Sequence, residues 1–235
     1  MLLFYIRHGD PIYKPNSLTP LGERQAEAIA KRLSIYGVDQ IFSSSSERAL
    51  KTAKPTCEIL KKDLIKLDFC NEDNAWKELT IVTEKGKHWA FQDPDIIKLF
   101  ATEEIRILGN KWYEYDKLSF LTEGIKRIRN ESDNFLLDLG YKHIPDTGMY
   151  EVVKSNDQRV ALFAHQGFGL AFLSSILDIP YPMFCRHFDM CHTGLTVIEF
   201  AERDGLTHPK ILTLSSDAHL YREGLPTKYA NRLYF

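Results

Sequence analysis

Two histidines lie at the ends of apolar runs of the chain, and one of them is preceded by an arginine. His8 comes after the run Leu2–Ile6 and Arg7, and His165 comes after the run Arg159–Ala164. A neutral imidazole can act as a nucleophile or exchange a proton, and a guanidinium can bind an anion through paired hydrogen bonds. These residue types in this order indicate chemistry on an anionic group.

A second arginine, Arg48, lies at the predicted start of a helix, where backbone N–H groups and the helix dipole favour an anion. Two guanidiniums suit a phosphoryl group better than a neutral ligand. An imidazole such as that of His8 could attack the phosphorus and form a phosphohistidine, while a protonated carboxyl gives its proton to the departing alcohol. Gly9 would let the chain turn sharply, so that a backbone carbonyl holds one ring nitrogen of His8 and leaves the other available.

The elements that must position these residues alternate between strand and helix. Thr19 is a predicted N-cap with Pro20 at the first helical position, and Gly37 ends that helix. The alternation predicts an α/β fold, a three-layer sandwich in which a mostly parallel sheet is flanked by helices. Ligands of such sheets bind beyond the carboxyl ends of the strands, so both histidines can meet there. The predicted strands are Leu2–Ile6, Gln40–Ser43, Leu64–Phe69, Arg159–Ala164, Thr193–Phe200 and Lys210–Leu214.

The alternation lapses in residues 74–156, where apolar positions at helical spacing predict two or more amphipathic helices. We interpret this segment as a helical insertion, or cap, within a single domain that spans residues 1–235. Its basic cluster around Lys126, Arg127 and Arg129 is typical of a solvated helix face. Aromatic residues of the segment could line the entrance to the site or pack in a core, and they are Trp76, Trp89, Trp112, Tyr113 and Tyr115.

The composition excludes several classes of function. The 235 residues contain 30 Lys plus Arg and 32 Asp plus Glu, a net charge of −2 that offers no global attraction to nucleic acid or to an anionic membrane. No apolar run reaches the length of a membrane span. The four cysteines form no CxxC pair, which is typical of reduced thiols in a cytoplasmic protein.

Five segments outside the insertion form a combination that is more specific than any one of them. They are Tyr5–Gly9, Leu18–Ala26, Phe42–Ala53, Phe163–Gly167 and Asp217–Leu220. Together they resemble the signature segments of the histidine phosphatase superfamily, also called the phosphoglycerate mutase-like family.

The resemblance implies a role for each matching residue. His8 would be the nucleophile, and Arg7, Arg48 and His165 would bind the phosphoryl oxygens. His165 is therefore expected among the catalytic residues as well as in the phosphate site. Gln166 is expected to contact phosphate, and His192 is expected at the pocket edge. Apart from the resemblance, Asn16 lies on the loop after the nucleophile and could also contact phosphate, with an ordinary turn residue as the alternative interpretation.

The proton donor is expected between Arg48 and the insertion. Glu72 follows the third predicted strand at a separation from Arg48 similar to the family's, so we prefer it to Asp73 and Glu78. This chain lacks the Leu-x-Glu pattern and the glycine-tryptophan cluster that are usual in the family. A solvated carboxylate is therefore the alternative interpretation of Glu72.

A metal site is the alternative for one further group of residues. Cys185, His187, Asp189, Cys191 and His192 lie close together in the sequence, but their spacing matches no closed zinc pattern. Packed thiols and a pocket-edge histidine explain the group without a metal. We expect neither a metal nor a cofactor.

The sequence therefore predicts a cofactor-independent phosphomonoesterase that acts through a phosphohistidine on a small phosphorylated metabolite. Phosphoglycerate mutase-type transfer is one alternative, although the short Asp10–Leu18 loop lacks the Trp-Asn and Phe-Thr-Gly-Trp stretches usual in the family's sugar-acid mutases. A non-catalytic module that binds a phospholigand is the other. The sequence does not identify the substrate. The oligomeric state also stays open, and exposed insertion helices could pair two copies in a homodimer.

Overall fold

A six-stranded sheet runs through the centre of the computed structural model, which describes residues 1–84 and 86–229. In chain order the strands are β1 (Leu2–Arg7), β2 (Pro11–Ile12), β3 (Ser17–Leu18), β4 (Gln40–Ser44), β5 (Leu64–Leu67), β6 (Thr80–Thr83), β7 (Gly86–Trp89), β8 (Tyr141–Ile144), β9 (Met149–Val152), β10 (Arg159–Ala164), β11 (Leu195–Phe200), β12 (Leu206–Thr207) and β13 (Pro209–Ser216). The α-helices are α1 (Pro20–Tyr36), α2 (Glu47–Leu60), α3 (Glu72–Glu78), α4 (Pro94–Phe100), α5 (Glu103–Leu108), α6 (Thr122–Asp138), α7 (Gln166–Ile176), α8 (Tyr181–Phe184) and α9 (Ala218–Arg222).

The order of strands in the central sheet is β13-β11-β1-β10-β4-β5. β1, β10, β4 and β5 are parallel neighbours, whereas β11 pairs antiparallel with both β1 and β13. The predicted α/β fold with a mainly parallel sheet is confirmed. The third predicted strand ends at Leu67 instead of Phe69, and the fifth begins at Leu195 instead of Thr193.

Helices cover both faces of this sheet because its strands bury side chains on both sides. On one face, Tyr5 of β1 stacks on Phe172 of α7 with ring centroids 5.6 Å apart. On the other face, Ile6 joins a core with Ile29 of α1 and Ala53 of α2. Successive residues of one strand thus enter opposite cores, which is the three-layer arrangement predicted from the continuous apolar runs.

Helix α1 begins and ends where its sequence predicts. The Thr19 hydroxyl accepts a hydrogen bond from the Gly22 backbone N–H at 3.0 Å, and Pro20 occupies the first helical position. Gly37 ends the helix with a φ of 73°, a left-handed conformation that glycine adopts without steric cost. At the start of the helix, the Thr19 backbone N–H also donates to the Asp10 carbonyl at 3.0 Å, which joins the two ends of the β2–β3 hairpin just after β1.

The segment 74–156 contains the predicted helices, but it also contains two hairpins that the sequence analysis missed. β6 pairs with β7, and β8 pairs with β9, which also pairs with β12. Each strand of these two hairpins has only four residues with mixed polar and apolar types, too short for a clear alternation. The extent of the insertion within a single domain stays a prediction.

The interpretation of the basic cluster as a solvated face was wrong for two of its members. The Arg127 guanidinium pairs with Glu78 at 2.7 Å, which joins α6 to α3. Arg129 lies 3.1 Å from Asp178 and 3.2 Å from Asp146. Ion pairing across elements cannot be read from one helix, because the partners are distant in sequence.

A buried histidine links three elements near Arg129. His143 of β8 contacts Asp133 through Nδ1 and Asp178 through Nε2, both at 2.9 Å, and its ring stacks on Tyr150. Burial alone would lower the pKa of His143, but the hydrogen bonds and charges of the two carboxylates raise it to about 9. The imidazolium form is therefore the one that the folded chain stabilises.

Replacing His143 by Gln is expected to lower the free energy of unfolding by about 3 kcal/mol at pH 6. The folded-state pKa of about 9 lies above the ordinary 6.5, so this stabilisation is fully present below about pH 6.5 and is lost as the pH rises through about 9. Denaturant unfolding at pH 6 and pH 10 measures it, with exposed His208→Gln as the control. An equal loss at both pH values would contradict the assigned charge.

No helix in the described part of the chain combines the length and the apolar character that a membrane span requires.

Candidate active site

The parallel pairing of β1 with β10 brings the two predicted histidines together. Arg7 pairs with Ala164 in the sheet, and the His8 backbone N–H donates to the Ala164 carbonyl at 2.9 Å. His8 and His165 are the next residues of the two strands, and their ring centroids are 5.2 Å apart. The strand register alone therefore places both imidazoles at one edge of the sheet.

The hydrogen bond of His8 defines which ring nitrogen is available. Nδ1 lies 2.7 Å from the Gly9 carbonyl, which can only accept, so Nδ1 carries a proton. A side chain at Gly9 would place Cβ 2.7 Å from the Gly22 carbonyl oxygen, so this turn requires glycine. The Gly9 N–H donates to the Thr52 hydroxyl at 3.0 Å and fixes the turn against α2.

The environment of His8 favours the neutral imidazole. Burial, followed by the positive charges of Arg7 and Arg48, holds the pKa of His8 well below its ordinary value of 6.5. A neutral ring with its proton on Nδ1 has a lone pair on Nε2. Nε2 is therefore the nitrogen that can react.

Arg7 is buried and held along one edge of its guanidinium. Nη1 donates to the Met190 carbonyl, and Nη2 donates to Nε2 of His192 at 2.9 Å. Nε of Arg7 has no hydrogen-bond partner among the described residues. A buried donor of this kind is costly unless a ligand or water satisfies it.

His192 lies behind Arg7 instead of on the cavity wall. Because a guanidinium only donates, Nε2 of His192 must accept, and the proton of the neutral ring is on Nδ1. Burial, Arg7 and His8 lower the pKa of His192, which preserves this acceptor. Nδ1 lies 3.4 Å from a carboxylate oxygen of Asp10, within ion-pair distance but without hydrogen-bond geometry.

Replacing His192 by Phe should lower kcat/KM for an aryl phosphate about tenfold, because Arg7 loses an acceptor that orients it. The Nη1 contact with Met190 persists, so we expect the fold to survive. Steady-state kinetics and competitive inhibition by inorganic phosphate measure the effect. His208→Phe, at an exposed position, is the control, and unchanged kinetics in His192→Phe would contradict the positioning.

Arg48 lies in the first turn of α2 and is 5% exposed. Its backbone N–H and its Nη1 both donate to the side-chain oxygen of Asn16 at 3.3 Å, and Asn16 donates in turn to Ser46 at 3.0 Å. Nε of Arg48 has no partner among the described residues. The structure thus places Asn16 against Arg48, where it orients the guanidinium.

His165 is fully buried and is held by two hydroxyl groups. Its Nε2 lies 2.8 Å from the Ser44 hydroxyl, and the Tyr5 hydroxyl donates to its carbonyl at 2.6 Å. Burial, together with the charges of Arg48, His8 and Arg7, holds the pKa of His165 well below 6.5. Nδ1 has no partner among the described residues.

Glu72 lies at the start of α3 and caps the first turn of α7. Its two oxygens accept the backbone N–H groups of Gly167 and Phe168, both at 2.9 Å. Burial raises the pKa of Glu72 above 4.5, against these hydrogen bonds and the charges of Arg48 and Arg7. A carboxyl with a raised pKa beside a cationic pocket fits a general acid.

The two alternative carboxylates have different surroundings. Asp73 is exposed, although it also lines the cavity. Glu78 pairs with Arg127 and is not part of the cavity wall. Among the three predicted donors, Glu72 alone combines a place on the wall with a pKa raised by burial.

A cavity of about 700 Å³ opens over these residues. Arg7, His8, Arg48, Glu72 and Gln166 form its polar wall. Its other lining residues come from the β2–β3 loop and the insertion, and they are Tyr13, Lys14, Asp73, Trp76, Trp89 and Gln92.

The aromatic residues predicted at the entrance divide into two groups. Trp76 and Trp89 line the cavity, with ring centroids 5.0 Å apart. Trp112 is 1% exposed and stacks on Tyr181 in the core. Tyr113 and Tyr115 also pack against that core.

Gln166 lines the cavity, and its amide donates to Asp189. The residues of the discounted metal group, such as Cys191, form no cluster of three metal-binding side chains within residues 1–84 and 86–229. Tyr5, Ser44, Thr52 and Asp189 carry no sequence signal for a place in the phosphate site. The first three lie inside the family-like segments, but their contacts depend on three-dimensional proximity.

Comparisons with known proteins bear on the family resemblance and on the fold. Residues 3–97 match the family model described as the histidine phosphatase superfamily (branch 1). The match confirms, over this part of the chain, the resemblance seen in the sequence. No curated protein matches the chain.

Solved structures share the fold across nearly the whole chain. A phosphoserine phosphatase from Entamoeba histolytica, in complex with 3-phosphoglyceric acid, has 21% identity and a TM-score of 0.60 over 93% of this chain and 98% of its own. A mycobacterial glucosyl-3-phosphoglycerate phosphatase in complex with VO3 has 17% identity and a TM-score of 0.58, over 92% and 99%. At these identities the likeness establishes the fold.

Proposed function

We propose that the protein is a phosphomonoesterase that works through a phosphohistidine on His8. One observation carries the proposal: three side chains that lie close to His8 each bury a nitrogen that has no partner among the described residues. The nitrogens are Nε of Arg7, Nε of Arg48 and Nδ1 of His165. A bound phosphoryl group would satisfy all three, because its oxygens accept hydrogen bonds and balance the two positive charges.

In the first step, the lone pair of His8 Nε2 attacks the phosphorus, and the bond from phosphorus to the ester oxygen breaks. The leaving oxygen takes a proton from Glu72. In the second step, water attacks the phosphohistidine and gives a proton to the Glu72 carboxylate, which releases phosphate and restores His8. Arg7 and Arg48 stabilise the charge on the phosphoryl oxygens in both steps.

Ser44 supports a hydrogen-bonding role for His165 in these steps. The Ser44 hydroxyl oxygen accepts the Ser46 backbone N–H at 3.2 Å, so its hydrogen is available to donate to Nε2 of His165. That arrangement puts the imidazole proton on Nδ1, where it can donate to a phosphoryl oxygen. Asn16 and Gln166 complete the proposed phosphate site. Asn16 does so by accepting hydrogen bonds from Arg48.

Rapid mixing with 32P-labelled phenyl phosphate and quenching tests the phosphohistidine. We expect a labelled protein that loses its label in acid and keeps it in base, together with free phosphate. Label that is stable in acid would place the phosphoryl group on another residue. Absence of both label and turnover over a broad panel of phosphomonoesters would favour the binding module instead.

The phosphatase proposal is supported over the mutase by the names of the structural relatives, which are phosphatases. Phosphoserine and 3-phosphoglycerate therefore belong in the first substrate panel. Mutase activity requires that 2,3-bisphosphoglycerate primes the conversion of phosphoglycerate isomers faster than it is hydrolysed. We expect hydrolysis to be faster.

The proposal also includes the location of the enzyme and its partners. We propose a cytoplasmic location, which the free state of Cys57, Cys70, Cys185 and Cys191 supports. A small phosphomonoester is the expected partner, with no nucleic acid or membrane. It also stays a prediction that two copies pair through the insertion helices. The same holds for the extent of the single domain.

A further inference from the structure

A second cavity of about 320 Å³ adjoins the catalytic one. Gln92 and Gln166 line both cavities, so the two spaces are neighbours that share these two side chains. We call the second space the distal pocket and define it by Phe91, Gln92, Gln166, Arg186, Phe188 and Asp189. A substrate whose phosphoryl group is at His8 would reach the distal pocket by extending past Gln166.

Arg186 gives the distal pocket a positive charge that no carboxylate neutralises. Its Nε donates to the Pro182 carbonyl at 2.9 Å, which anchors the side chain. Its Nη2 lies 3.7 Å from the Met183 sulfur and 3.5 Å from the His187 ring. Within the described residues, no Asp or Glu oxygen lies within ion-pair distance of this guanidinium.

Asp189 contributes a negative charge on the same wall. Its Oδ1 accepts from the Gln166 amide and from the Met190 backbone N–H. Its Oδ2 has no hydrogen bond to the described residues. The pocket thus offers one cation with unused donors and one carboxylate with an unused acceptor, beside the apolar rings of Phe91 and Phe188.

We propose that the substrate is a phosphomonoester with an elongated leaving group that ends in a carboxylate bound by Arg186. A carboxylate matches the two-donor edge of a guanidinium, and its single charge matches one unpaired cation. A second phosphate group would bring about two negative charges to one unpaired cation and close to the Asp189 carboxylate, so it fits less well. Asp189 would accept a hydroxyl or ammonium hydrogen of the same leaving group. This inference rests on the proposed phosphatase function.

A homologous series of ω-phosphooxy alkanoic acids and their methyl esters tests the proposal. The acid and the ester of each length share the reacting end and differ only in the terminal charge. We expect kcat/KM of the acid to exceed that of its ester by about tenfold at one intermediate length, where the carboxylate reaches Arg186. Acids that are no better than esters at every length would overturn the inference.

Variants assign the preference to Arg186. In Arg186→Met the side chain keeps an unbranched apolar stem and loses the guanidinium with its charge, so we expect the acid and the ester to become equal while phenyl phosphate is turned over as before. Arg186→Lys should restore part of the preference, and Arg24→Met, at an exposed position on α1, should keep all of it. An unchanged preference in Arg186→Met would overturn the assignment. If the wild-type protein does not turn over phenyl phosphate at all, that result would instead contradict the phosphatase function.

Discussion

Replacing His8 by Ala is expected to abolish both the labelled phosphoenzyme and the release of phosphate, with a loss in kcat of at least about 10⁴-fold. The expected effect is large because no other nucleophile can substitute. Within the described residues, the nearest imidazole is that of His165, which is held by Ser44 and lacks the bond that frees Nε2 in His8. Quench labelling and steady-state turnover with phenyl phosphate measure the two losses.

The control for this variant is His208→Ala, which removes an exposed histidine. His8 is 2% exposed, so circular dichroism and thermal unfolding must show that His8→Ala keeps the fold. His8→Asn supplies a second, polar replacement. Turnover within tenfold of the wild type in a folded His8 variant would contradict the nucleophile assignment.

Replacing Glu72 by Gln is expected to slow alkyl phosphates about 10²- to 10⁴-fold and aryl phosphates less than about tenfold. An alkoxide needs a proton to leave, whereas an acidic phenol leaves without one. The Gln side chain keeps one oxygen to accept from the first turn of α7, so we expect the helix cap to be partly retained. kcat/KM for ethyl phosphate and 4-nitrophenyl phosphate measures the contrast.

The same variant changes the pH profile for alkyl phosphates. Glu72 acts as an acid only while protonated, and burial raises its pKa, so activity extends above the usual carboxyl range and falls as the pH rises through that pKa. The lowered pKa of His8 keeps the nucleophile neutral in mild acid. Glu72→Gln should remove the alkaline fall, and Asp73→Asn should keep it. An equal loss on both substrate classes in Glu72→Gln would move the proton donor to Asp73.

The main elements of the fold could be predicted because they rest on local signals. Residues 160–164 of the run Arg159–Ala164 are continuously buried in the sheet, as their apolar side chains require. Thr19, Pro20 and Gly37 set the limits of α1 through cap chemistry that depends on a few neighbouring residues. The β6–β7 and β8–β9 hairpins could not be predicted, because four-residue strands carry too little alternation to separate them from helix or loop.

The sequence by itself determined the strands that end at Arg7 and Ala164, and with them the expectation that two histidines meet at one sheet edge. Only the tertiary structure decided how each side chain is used. His192 lies behind Arg7, Asn16 orients Arg48, and Glu72 caps α7. Strand and helix signals come from near neighbours in sequence, whereas hydrogen bonds, desolvation and the charge of a cavity depend on residues that only folding brings within a few ångströms.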